Sequence, residues 1–86
     1  MTAAPEVVLY GKSECGPCFE AERAVKLACA SRGIEWRFVN VDTDPAPAGY
    51  AEAVPVLHIA GREVARGRIT QNRVADALED ALSITT

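Results

Sequence analysis

The sequence has no apolar run approaching the about 18 residues that a membrane-spanning helix needs, so we expect no membrane insertion. It holds only three cysteines, an odd number that is too small for the disulfide framework of a secreted mini-domain. Basic residues are outnumbered by acidic residues, 9 to 12, and the net charge of −3 argues against a general binder of nucleic acid or anionic membranes. Residues 1–6 lack the basic start of a secretion signal, and no apolar region and cleavage site follow them. We therefore expect a cytoplasmic protein.

The length of 86 residues suits one domain, spanning 1–86, and is too short for two. With 49% hydrophobic and 24% charged residues, the composition is that of an ordinary globular protein. We expect this domain to act as a monomer.

Hydrophobic patterning predicts a strand, a helix and a second strand in the first half. The apolar run at 6–10 does not alternate, which predicts a strand covered on both faces. Small apolar residues recur every three or four positions over 16–31, which predicts a helix ended by Gly33. Alternation over 35–41 predicts a strand with Trp36 and Phe38 packed inside. Two strands joined by a helix form a parallel, right-handed βαβ unit.

The second half predicts a short helix, a hairpin and a long helix. The short helix, at 48–53, must end at Val54, because a residue before proline is pushed out of the helical region. Residues 56–60 and 63–66 form a hairpin that turns at Gly61-Arg62. A last helix follows, with Thr70 as its N-cap. We therefore expect an α/β fold of order β-α-β-α-β-β-α, with a four-stranded mixed sheet and helices on both faces.

A Cys-x-x-Cys pair, Cys15-Gly16-Pro17-Cys18, lies where the first predicted strand turns into the first predicted helix. A helix start presents free backbone N–H groups and a partial positive charge, which stabilise a thiolate. In this position Cys15 is the accessible sulfur, and Cys18, one turn later, turns inward. The spacing together with the βαβ context is typical of a thioredoxin-like redox motif, in which Cys15 attacks a disulfide and Cys18 resolves the mixed disulfide.

Other interpretations of the cysteines stay open on sequence grounds. The pair can be buried without a role, can form a regulatory disulfide, or can supply half of a zinc site. A structural zinc site needs four ligands, and only Cys29 and His58 remain to complete it. Their simplest interpretations are a small buried helix residue for Cys29 and a half-buried, hydrogen-bonded histidine for His58.

A cluster of basic residues also has two interpretations. Four of the nine basic residues fall between 62 and 73. They form either a solvated rim or a local contact for an anion or a partner. The residues are Arg62, Arg66, Arg68 and Arg73.

The chain resembles proteins of the thioredoxin fold and, within that fold, short bacterial glutaredoxin-like proteins. The resemblance covers nearly the whole chain. It rests on the length, on the element order, on the Cys15–Cys18 motif after a strand, and on Val54-Pro55 before another strand. It implies a single thioredoxin-like, three-layer domain.

The resemblance also implies a set of substrate-binding residues. Lys12 matches a glutaredoxin position that contacts the glycine carboxylate of glutathione. Val54-Pro55 matches the pair whose proline is cis and faces the disulfide, and whose first residue pairs with a bound peptide or glutathione. Gly67 falls in the loop that holds the γ-glutamyl end of glutathione. In the motif, Gly16 allows close approach of a substrate backbone and Pro17 stiffens the loop.

The implied function is a small thiol–disulfide oxidoreductase that takes part in electron transfer and cellular redox homeostasis. It would reduce protein or small-molecule disulfides through a Cys15-Cys18 redox-active disulfide, with no metal or organic cofactor. Either glutathione or a flavoprotein of the thioredoxin reductase type would re-reduce it.

Departures from the glutaredoxin pattern favour the flavoprotein as reductant. Gly16-Pro17 is thioredoxin-like, whereas glutaredoxins usually carry Pro-Tyr. The loop after the hairpin, 67–70, has one glycine and no acid where glutaredoxins have Gly-Gly-x-Asp. The chain also departs from the thioredoxins, because Leu9 stands where they carry a buried acid, so Cys18 has no obvious carboxylate base.

Two other functions remain as alternatives. One is a redox-responsive adaptor whose Cys15-Cys18 disulfide alters a partner surface. The other is iron–sulfur cluster carriage, for which the sequence supplies no evident ligand opposite Cys15.

Overall fold

The computed structural model of the chain describes residues 4–84, and its elements follow the predicted β-α-β-α-β-β-α order. Residues 1–6 were considered above as a possible secretion signal, and the first three of them lie outside the described residues. The elements are β1 (Val7–Gly11), α1 (Gly16–Ala30), β2 (Arg37–Asn40), α2 (Tyr50–Ala53), β3 (Val56–Ile59), β4 (Arg62–Arg66) and α3 (Gln71–Ile84).

The four strands form one mixed sheet in the order β2-β1-β3-β4. The β1 strand runs parallel to β2 and antiparallel to β3, and β3 pairs antiparallel with β4. The βαβ unit and the hairpin are therefore both confirmed. Strand β1 lies inside the sheet, and its Val7, Val8 and Leu9 are all buried, which explains its unbroken apolar run.

Helices α1 and α3 pack against each other and cover one face of the sheet. The five small residues that formed the predicted inward stripe of α1 are all buried there. Leu78 of α3 is fully buried between the layers, and burying such a side chain contributes about 1.5–3 kcal/mol. Thr70 begins α3 as predicted, because its Oγ1 accepts the backbone N–H of Arg73 at 3.1 Å. Of the helices within residues 4–84, none is both long enough and apolar enough to cross a membrane.

The other face of the sheet carries the one-turn helix α2. It begins at Tyr50, two residues later than predicted, because Gly49 before it has a φ of 86°. Tyr50 lays its ring edge-on against Tyr10 of β1 and His58 of β3, with ring centroids 5.1 and 5.6 Å apart. The sheet thus has helices on both faces, as predicted, and the fold class is confirmed.

Phe38 is not packed inside, contrary to the prediction. It is 37% exposed, whereas Val39 beside it is buried against the α2 face. The β2 strand is an edge strand, so a ring on its α1 face is covered on one side only. Trp36 does pack partly against the core, as expected.

The hairpin turn lies one residue earlier than predicted. Ala60 and Gly61 occupy it, with φ values of 55° and 78°. A two-residue turn between twisted antiparallel strands needs left-handed backbone at both positions. Alanine rarely adopts that conformation, which is why the sequence pointed to Gly61-Arg62 instead.

Candidate active site

Cys15 and Cys18 form a disulfide at the start of α1, with their Cα atoms 5.1 Å apart. Cys15 is the N-cap and has extended backbone angles, whereas Cys18 lies in the first helical turn. The carbonyl of Cys15 already accepts the N–H of Phe19 at 3.1 Å. Pro17 fits the first turn because its missing N–H has no partner to lose there.

The two sulfur atoms are unequal in exposure. Cys18 is only 3% exposed, whereas Cys15 is half-buried, so a partner reaches Cys15 first. The backbone N–H of Cys18 also donates to Sγ of Cys15 at 3.3 Å. In the reduced protein, this N–H and the positive end of the α1 dipole would stabilise a thiolate on Cys15.

Gly11 lies beside both the ring of Phe38 and the buried sulfur of Cys18, and sequence analysis assigned neither Gly11 nor Phe38 to the site. A Cβ atom on Gly11 would lie 2.8 Å from Cε1 of Phe38 and 3.4 Å from Sγ of Cys18. A side chain at position 11 would therefore displace the Phe38 ring, whereas the sulfur would remain at ordinary contact distance. The one available signal was a glycine ending an apolar strand just before the motif.

Three residues that the resemblance assigns to substrate binding lie at the same end of the strands as the disulfide. They are Val54, Pro55 and Gly67. The end of β1 pairs with the start of β3, through Tyr10 and Val56, and the motif and Val54-Pro55 adjoin those ends. The Val54–Pro55 bond is cis, as the resemblance implied, and Pro55 is buried. The N–H of Gly67 donates to the carbonyl of Pro55 at 2.9 Å, which joins two of the predicted positions directly.

Lys12 connects the motif loop to α2. Its Nζ donates to the carbonyl of Ala51 at 3.4 Å, and its side chain is half-buried. Gly16 and Pro17 are exposed at the start of α1, and a Cβ on Gly16 would meet nothing within 4 Å. The motif surface is therefore open to an approaching disulfide.

The basic cluster separates into engaged and unengaged arginines. Arg66 binds both carboxylate oxygens of Glu63 at 2.6 Å, and this hydrogen bonding lowers the pKa of the Glu63 carboxyl. Arg73 donates to the carbonyl of Val64 at 2.7 Å. The side chains of Arg62 and Arg68 make no hydrogen bond or ion pair with any residue in the range 4–84.

A polar chain that sequence analysis missed runs along the α2 face. The Tyr50 hydroxyl lies 2.7 Å from Nε2 of His58 and donates to Glu63 at 3.4 Å. Burial, with the negative charge of Glu63, raises the pKa of Tyr50. His58 is thus the half-buried, hydrogen-bonded residue expected, but its partner lies eight positions away, where no sequence pattern points.

Cys29 is fully buried in the core, and burial raises the pKa of its thiol. His58 is bonded to Tyr50, so neither residue joins the cysteine pair. Across residues 4–84, no three His, Cys, Asp or Glu side chains are grouped to hold a metal ion. The same range contains no buried charged side chain, so Cys18 has no buried carboxylate beside it.

Comparisons with known proteins agree with this geometry. The profile of the glutaredoxin-like domain family (DUF836) matches residues 6–79. The X-ray structure of the structural-genomics target protein XcR50 from X. campestris is similar to this chain, with 29% sequence identity and a TM-score of 0.68. That similarity covers 86% of this chain and 96% of XcR50. Curated proteins yield no match. The family match spans most of the sequence, and the chain therefore belongs to the glutaredoxin-like domain family.

Proposed function

We propose that the protein is a small thiol–disulfide oxidoreductase that reduces protein or small-molecule disulfides through a dithiol mechanism. The observation that carries this proposal is the asymmetry of the pair. The half-buried Cys15 accepts an N–H at a helix start, and Cys18 is buried behind it. We place the reaction in the cytoplasm, with a single-domain monomer as the active species.

The first step forms a mixed disulfide. The Cys15 thiolate attacks one sulfur of the substrate disulfide, a bond forms between the two, and the substrate S–S bond breaks. The departing substrate sulfur leaves as a thiolate and takes up a proton from water. The helix start that stabilised the Cys15 thiolate makes this sulfur the attacking group.

The second step releases the substrate. Cys18, as a thiolate, attacks Sγ of Cys15, the mixed disulfide breaks, and the second substrate thiol departs with a proton. The Cys15–Cys18 disulfide forms, so two electrons and two protons pass to the substrate. The short Cα separation of 5.1 Å supports this closure.

The substrate would lie across the ends of strands β1 and β3, beside the Cys15–Cys18 motif. Val54, Pro55 and Gly67 form a backbone platform there, tied by the Gly67–Pro55 hydrogen bond. Lys12 offers a cation next to the same surface. These are the roles that the resemblance to glutaredoxin-like proteins implies for the four residues.

We propose a flavoprotein reductase rather than glutathione as the electron donor. The loop that begins at Gly67 carries no acid for the amino group of glutathione. Arg66, a candidate for its carboxylates, is engaged by Glu63. Arg68 remains as a cation without a partner among the described residues.

A steady-state assay tests the function. Insulin reduction is measured with either a thioredoxin reductase and NADPH or glutathione and its reductase as donor. Wild type and Cys29→Ala should both turn over, and Cys15→Ser should be inactive. If wild type is as inert as Cys15→Ser with every donor, the protein is not a reductase, and the redox-responsive adaptor becomes the better explanation.

A further inference from the structure

The outer face of α1 exposes large apolar side chains next to the disulfide. Phe19 is 64% exposed and Leu27 is 42% exposed. They account for two of the three exposed large apolar side chains in residues 4–84, the third being Phe38 at the sheet edge. Exposing a phenylalanine costs free energy that its burial by a partner would recover.

These two side chains frame a groove of about 430 Å³. Between them lie Glu22, Arg23 and Lys26, so the groove carries a net positive charge. The side chains of Arg23 and Lys26 make no ion pair or hydrogen bond with any described residue. The groove is therefore basic on a chain whose net charge is −3.

The groove begins at Phe19, one helical turn from the accessible Cys15. Phe19 donates its backbone N–H to the carbonyl of Cys15 at 3.1 Å, and Arg23 and Leu27 follow on neighbouring turns of the helix at further steps of four residues. Twelve residues of helix extend about 18 Å, which is longer than a small disulfide. A partner that spans this face while reacting at Cys15 must therefore be a protein.

We propose that this face, the α1 stripe (Phe19, Arg23, Lys26 and Leu27), is the docking surface for the protein partner of the exchange reaction. The matching partner carries its reacting disulfide beside apolar and acidic side chains. Apolar contact with Phe19 and Leu27 supplies affinity, and charge complementarity with Arg23 and Lys26 supplies selectivity and rate. This inference rests on the proposed oxidoreductase function and names its class of partner.

The test uses fully reduced protein in single-turnover reactions, which makes it independent of the donor. Three probes are compared: an acidic peptide disulfide containing Phe and Asp, a matched peptide with Lys in place of Asp, and the small disulfide of mercaptoethanol. Wild type should reduce the acidic peptide about tenfold faster than the basic one at low salt.

Variants of the stripe separate docking from chemistry. Arg23→Glu should slow reduction of the acidic peptide about tenfold and speed that of the basic peptide. Phe19→Ala should slow both peptides several-fold, by roughly the loss of one apolar contact. The mercaptoethanol disulfide should react within about twofold of wild type in both variants, because it does not reach the groove. Arg62→Glu makes the same change of charge on the hairpin and should leave all three rates unchanged.

Four outcomes would overturn the inference. Equal rates of wild type on the two peptides would remove the acidic partner. A loss in Arg23→Glu that is as large on the mercaptoethanol disulfide would place the effect on Cys15 itself. A concentration-dependent dimer that Phe19→Ala abolishes, in sedimentation velocity, would assign the stripe to a second copy. If wild type reduces none of the three probes, the proposed function fails and takes the docking surface with it.

Discussion

The hydroxyl of Tyr50 lies 2.7 Å from Nε2 of His58, and it also donates to Oε1 of Glu63 at 3.4 Å. Arg66 extends this network of hydrogen bonds, because it donates to both carboxylate oxygens of Glu63. This hydrogen-bond network ties the one-turn helix α2 to strands β3 and β4. Because Val54 is the C-cap of α2, this hydrogen-bond network also positions the segment that holds the cis proline beside the motif.

Replacing Tyr50 with Phe should weaken this tie without removing the packed ring. We expect the free energy of unfolding to fall by about 1 kcal/mol, because one hydrogen-bonded hydroxyl is lost. The rate of disulfide reduction should fall several-fold through a looser Val54-Pro55 segment. Urea denaturation and single-turnover reduction measure the two effects. Tyr10→Phe is the matched control, since the Tyr10 hydroxyl bonds to nothing in the described residues; equal effects of the two variants would refute the positioning role.

Tyr50 also predicts a loss of stability at high pH. Burial raises the pKa of its phenol above the usual 10.0, so folding favours the neutral form. The stabilisation that this difference gives to the folded state is fully present at pH values below the pKa of the phenol in the unfolded chain. It is lost as the pH rises through the pKa of Tyr50 in the folded protein. Tyrosinate absorbance is measured against pH in wild type and in Tyr50→Phe. The difference between the two curves should have its midpoint above pH 10.0. A midpoint at or below that value would show that the ring is not held as described.

Gly11 should not tolerate a side chain. Gly11→Ala would press a methyl group against the Phe38 ring, and such overpacking costs about 1–3 kcal/mol. Urea denaturation of the oxidised protein measures the loss. Gly16→Ala serves as the control, because its new methyl group has open space and should not lower stability. A Gly11→Ala variant as stable as wild type would mean that Phe38 moves aside freely.

Much of this fold follows from local pattern. The sequence predicts the unbroken apolar run of β1, the five small inward-facing residues of α1, and Thr70 before α3, because each pattern has one physical meaning. The prediction that Phe38 packs inside is wrong, because alternation shows which residues share a face but not which strand lies at the edge of the sheet. The turn was misplaced because Ala60 adopts a left-handed conformation that its residue type disfavours.

The site shows the same division. The roles of Cys15 and Cys18 follow from spacing at a helix start, which is a local feature. The contacts of Gly11 with Phe38, and of Tyr50 with His58, join residues from different elements. Those contacts depend on strand register and on where α2 settles, and neither quantity is encoded in a short window of sequence.

Cys29 should be chemically silent in the native protein. It is fully buried, and burial raises the pKa of its thiol, so little thiolate is present to react. Iodoacetamide added to the reduced, folded protein should label Cys15 rapidly, Cys18 slowly, and Cys29 only after denaturation. Mass spectrometry of the digested protein assigns the labels. Native labelling of Cys29 at the rate of Cys15 would indicate a reactive third thiol.

The most direct test of the central claim is to trap the mixed disulfide. With insulin as substrate, Cys18→Ser should accumulate a covalent adduct through Cys15, because the resolving thiol is gone and Cys29 is buried in the core. Cys15→Ser should accumulate none, since the buried Cys18 cannot reach the substrate. Non-reducing electrophoresis and mass spectrometry identify the linked sulfur. Adducts formed through Cys18 in Cys15→Ser, as readily as through Cys15 in Cys18→Ser, would contradict the assigned roles.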